Sequence, residues 1–129
     1  MANRKFIDRL SSATAAGSGA TNGADRTLRS GRGITFVVKT ISGSGTSPTV
    51  TVKLQGKTQT GDYYDIPGAT TTALPAGTPA VTALTVCPGI TAANNAAVNL
   101  PVPVTYRLVY TIGGSATPTA TFAVDVIEH

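Results

Sequence analysis

The sequence has no tryptophan, one cysteine and one histidine. A lone Cys87 excludes an intrachain disulfide. Its flanks, Leu84, Val86 and Pro88, give it the setting of a small buried hydrophobe rather than of a reactive thiol. The only histidine is His129, the last residue, so neither a zinc ligand set nor a Cys/His nucleophile pair is expected. Charge is scarce as well: Asp, Glu, Lys and Arg make up 12% of the residues, and aromatics 5%. A helical protein usually carries more Glu, Lys and Leu than this. No apolar run approaches the roughly 18 residues that span a bilayer, and no apolar stretch follows the basic N-terminus. Neither a membrane partner nor a secretory signal is expected.

Hydrophobic residues make up 41% of 129 positions, enough for one domain with one packed core. Thr, Ala, Val, Gly and Pro dominate, the composition of short β-branched strands separated by turns. The net charge of +4 is uneven: residues 1–33 hold six basic residues and two acidic ones, and the remainder holds four of each. The division that follows is a basic N-terminal arm and flexible connector over 1–33, and a β-sandwich domain over 34–129. A basic arm on a neutral body seeks an acidic partner. This arm spreads its charges out and has Phe6 as its one aromatic, which argues against nucleic acid and for a protein surface. Arg4, Lys5, Phe6, Ile7 and Leu10 are its candidate anchors, with Phe6 and Leu10 on one face of a short helical turn, and Arg26, Arg29 and Arg32 lead into the body. Ser11 to Gly23 is small and polar and reads as the connector.

Period-two alternation begins at Ile34. Ile34, Phe36 and Val38 share one face; Val50, Val52 and Leu54 repeat the pattern after a turn at Gly43–Pro48. A short strand over Asp62–Ile66 closes at Pro67-Gly68, and another runs from Val81 to Cys87. Residues 67–80 and 90–103 read as long loops. Tyr106, Leu108, Tyr110 and Ile112 face one way in the next strand, with Arg107 opposite; after a turn from Gly113 to Pro118, Ala120, Phe122, Val124 and Val126 face inward. One-sided alternation means an antiparallel sheet with one buried face, and two such layers make a sandwich of about 6–8 strands, jelly-roll or immunoglobulin-like.

Chemistry is hard to find. Asp62 and Asp65 lack the spacing of a calcium loop, and Gly43-Ser44-Gly45 lacks the helix and lysine of a phosphate cradle. Tyr63 and Tyr64 alternate across a strand, so one of them is exposed as a candidate surface contact. With no cofactor or metal site in view, the residues point to a binding or structural module rather than an enzyme.

Thr46–Ile127 resembles the small capsid decoration (cement) proteins of tailed bacteriophages. The resembling stretches are 47–57 (SPTVTVKLQGK), 61–66 (GDYYDI), 84–91 (LTVCPGIT), and the closing pair 106–109 (YRLV) with 118–122 (PTATF). The resemblance implies a sandwich made in the host bacterial cytoplasm and added to the outer surface of an expanded shell. It also implies contact with the major capsid protein and assembly as a dimer or trimer. No functional residue carries over from it. Two other readings stay open: a carbohydrate- or receptor-binding module, and a head–tail connector or tail protein.

Overall fold

In the computed structural model, which describes residues 14–16, 19–28 and 33–128, every regular element is a strand. In chain order these are β1 (Thr14–Ala16), β2 (Gly19–Asn22), β3 (Arg26–Thr27), β4 (Ile34–Lys57), β5 (Tyr63–Thr70), β6 (Leu74–Pro75), β7 (Ala80–Val86), β8 (Ala97–Val98) and β9 (Thr105–Glu128). The protein is all-β, built on one mostly antiparallel sheet. β4 and β9 pair along their whole length, from Ile34↔Glu128 to Gly56↔Tyr106. β7 lines the first half of β4, while β5 and β6 line its second half.

The two Gly/Ser-rich segments expected as turns, 43–48 and 113–118, are not hairpins. Both lie inside 24-residue strands and pair with each other. They act as a corner: the register shifts between Thr40 and Ser42, Ser44 and Thr46, and Thr46 and Thr49. The backbone turns through positive φ at Gly45 (97°), Ser47 (48°) and Gly114 (117°). Bulges of this kind bend a strand without ending it. Likewise β5 does not close at Pro67-Gly68 but continues to Thr70, with Gly68 at φ 77° absorbing the kink. The 90–103 segment is not wholly a loop, because β8 pairs in parallel with Thr85 and Val86 of β7.

The corner folds the sheet on itself, so its halves face each other as the layers of a sandwich. Ile34, Phe36 and Val38 come from one half and Val50, Val52 and Leu54 from the other; all are fully buried, and all join one core. The rings of Tyr110 and Phe122, on opposite sides of the corner, meet edge to face at 5.0 Å. Burying each such aliphatic or aromatic side chain stabilises the fold by about 1.5–3 kcal/mol, which makes the inward rows the principal source of stability. Cys87 is half-buried, with Sγ directed at the Pro88 carbonyl.

The stretch expected as a flexible connector contributes strands as well. β1, β2 and β3 run antiparallel along the free edge of β9, in register at Thr14↔Thr121, Gly19↔Ile112 and Arg26↔Tyr106. Backbone hydrogen bonds outweigh the weak β-propensity of Gly, Ala and Asn here because β9 offers a ready edge.

Candidate interaction surface

The outward positions of the second layer assemble a polar ladder that connects the N-terminal segment to the body. Lys53, Gln55 and Lys57 alternate outward on β4, Asp65 and Tyr63 stand beside them on β5, and Arg107 on β9. Gln55 Nε2 donates to Asp65 Oδ1 at 2.8 Å, and Arg107 Nε donates to Gln55 Oε1 at 2.9 Å. The Arg107 guanidinium lies 3.4 Å from the Tyr63 ring centroid, a cation–π stack that fixes the ring. Asp25, in the turn between β2 and β3, completes the ladder. Its Oδ2 accepts from Lys57 Nζ at 2.8 Å and its Oδ1 accepts from the Tyr63 hydroxyl at 2.6 Å.

These contacts shift the titration of both partners. The Lys57 ammonium first, and the Tyr63 hydroxyl second, hold the Asp25 carboxyl below the ordinary 3.8. Asp25 in turn raises Lys57. A carboxyl with a depressed folded pKa adds stability that is present above its unfolded value and is lost as pH falls through the folded one. A lysine with a raised pKa adds stability that is present below its unfolded value and is lost as pH rises through the folded one. The clip therefore holds across neutral pH and loosens in acid. Asp25→Asn is expected to speed amide exchange severalfold at Gly23 and Leu28, which donate to Leu108 O and Val104 O at 2.7 Å each. Exchange rates from NMR for the two proteins at neutral pH check this, and equal rates would remove Asp25 from the role.

A second feature is apolar. A β-carbon at Gly56 would lie 2.6 Å from both the Tyr64 ring and Pro103 Cγ, so Tyr64 packs across a bare backbone beside Pro103. Tyr64 keeps 44% of its surface exposed, and Val104, next to Pro103, keeps 70%. Together with exposed Pro101 they form an apolar corner where the second layer ends. At the loop end, a shallow cleft of about 280 Å³ is lined by Pro67, Gly68, Asn94, Asn95 and Asn99. Among the described residues no group of three or more His, Cys, Asp or Glu side chains converges as a metal site.

The sequence-derived candidates separate accordingly. Arg4, Lys5, Phe6, Ile7, Leu10, Arg29 and Arg32 lie outside the described residues, as does His129. Arg26 does not project from an arm: it sits half-buried in β3 opposite Tyr106, where burial lowers its pKa. Tyr63 is held by Asp25 and Arg107, and Tyr64 is the exposed member of the pair. The sequence alone does not join Asp25, Gln55, Lys57 and Arg107 as a unit. Their alternation reads only as a solvated face, and nothing in the spacing joins Asp25 to a lysine on another strand.

No family model matches the chain, and no curated protein matches it. The fold, by contrast, has a counterpart. A chain in the solved structure of infectious bursal disease virus, Gt strain, superimposes with a TM-score of 0.54 at 12% identity, over 98% of this chain and 33% of that one. A chain of the Gx strain aligns at 14% identity and a TM-score of 0.38, over 99% of this chain and 31% of its own. This chain thus spans about a third of the length of the structures it matches. The architecture is one found in a virus structure, and that likeness is of fold.

Proposed function

We propose that this chain is a structural virion protein, and specifically a decoration protein that binds the outer surface of a phage capsid and reinforces contacts between major capsid subunits. The observation that carries this reading is the fold shared along 98% of the chain with a virus structure. The resemblance of 46–127 to phage cement proteins narrows it. The apolar corner of Tyr64, Pro101 and Val104 has the aromatic and aliphatic character of an interface anchor. The basic N-terminal residues add charge pairing with an acidic shell, and oligomerisation multiplies modest contacts into stable occupancy.

The test is cosedimentation of the protein with expanded shells that lack it, with cryo-electron microscopy of the bound particles. Saturable, symmetric density on the shell is the expected result. Val104→Glu, which places a charge on the apolar corner, is expected to weaken binding about tenfold or more while the fold is kept. Density confined to the neck or tail would move the protein to the connector class. Binding to a glycan array without binding to shells would favour the receptor-binding reading.

A further inference from the structure

The free edge of β9 that receives β2 and β3 is a potent template for strand pairing. Residues 105–112 read TYRLVYTI: β-branched, aromatic and aliphatic, with no glycine or proline. Their one charge, Arg107, is occupied by Gln55 and Tyr63. Such a segment, left open at a sheet edge, recruits another strand. The segment lying along it has the opposite character. Residues 19–28 read GATNGADRTL, with two glycines, an adjacent charged pair and only four- and two-residue strands. Thr21, Asn22, Ala24, Asp25 and Thr27 are exposed, Arg26 is half-buried, and Leu28 packs against the core. Its hold on β9 includes backbone hydrogen bonds, the half-buried Arg26 opposite Tyr106, and the Asp25 clip to Lys57 and Tyr63.

We propose that residues 19–28 form a detachable cover over the 105–112 edge, and that uncovering this edge makes the protein pair with a second copy of itself, β9 against β9. A weak, interrupted and charged strand laid over a strong one leaves an outer edge that recruits nothing. A second copy is the fitting occupant because two such edges are identical, and antiparallel pairing of identical edges closes on a two-fold axis. The inference is independent of the virion reading.

The full chain carries the test. At Gly23 a β-carbon would lie 2.7 Å from the Leu108 carbonyl oxygen, so Gly23→Val forces the cover away from β9. Asp25→Lys turns the clip into repulsion against Lys57 and Arg107. In the double variant, hydrogen–deuterium exchange is expected to show residues 19–28 unprotected and residues 34–57 still protected. Light scattering is expected to show a mass twice that of the wild type. Adding Thr111→Lys, at an exposed position of the uncovered edge, should return the mass to the wild-type value with the cover still loose. A loosened cover with unchanged mass overturns the proposal, as does association that Thr111→Lys fails to reverse. Retained protection over 19–28, or loss of it over 34–57, overturns it too: the segment would then be held otherwise, or be part of the core.

Discussion

Phe122→Ala is expected to destabilise the protein by about 3–5 kcal/mol, read as a lower denaturant midpoint at an unchanged slope. Phe122 is fully buried, pairs with Thr40 on β4, and meets the Tyr110 ring across the corner at 5.0 Å. Those contacts come from both layers, so truncation removes apolar area and also leaves a cavity that neither layer can close without moving the other. Set against the roughly 5–15 kcal/mol that holds most domains folded, such a loss brings the protein near its unfolding threshold. A cost below about 1 kcal/mol would mean that the layers do not meet at this ring, and the sandwich reading would fail with it. Phe122→Leu keeps much of the volume and is expected to cost well under half as much.

Thr40→Val is expected to cost about 1–3 kcal/mol even though it preserves shape, because it strands a buried donor. Thr40 is fully buried among apolar neighbours. Its Oγ1 accepts from the Ala80 amide at 3.0 Å and donates to the Pro75 carbonyl at 2.9 Å, joining β4 to the end of β6 and the start of β7. Valine fills the space but leaves both groups without that partner. Thr40→Ser keeps the hydroxyl and is expected to recover most of the difference in a urea titration. If valine proves as stable as threonine, the hydroxyl contributes nothing to the fold.

Much of the architecture is legible in the sequence. The inward rows 34/36/38, 50/52/54, 106/108/110/112 and 120/122/124/126 follow period two, with Val109 and Ala123 buried besides, and period two survives wherever one face is buried. The corner is not legible. Gly43–Pro48 has the composition of a hairpin turn, and the difference between turn and bulge is decided by a partner strand some 70 residues away. Thr40 shares the inward parity of Phe36 and Val38, yet its role depends on carbonyls that only the 75–80 segment supplies. The N-terminal strands escape detection because edge pairing relies on backbone groups, which every residue has. The clip escapes because Asp25, Lys57 and Tyr63 come from three separate segments, and sequence spacing says nothing about a meeting across strands. Tyr64 was foreseeable as one of an alternating pair, but its place over Gly56 was not.

The pairing of β4 with β9 has a consequence for how the molecule comes into being. The matched residues lie between 50 positions apart, at Gly56↔Tyr106, and 94 apart, at Ile34↔Glu128. On a ribosome, the first long strand emerges and waits through the synthesis of everything between. β5, β6 and β7 can line one edge of it, but its other edge has no mate until residues 105–128 are out. The central ladder thus assembles only by closing a large loop, which places the chain among slow-folding topologies. Until then the nascent chain exposes apolar residues of β4 to the crowded cell, the interval in which chaperones have most to offer it.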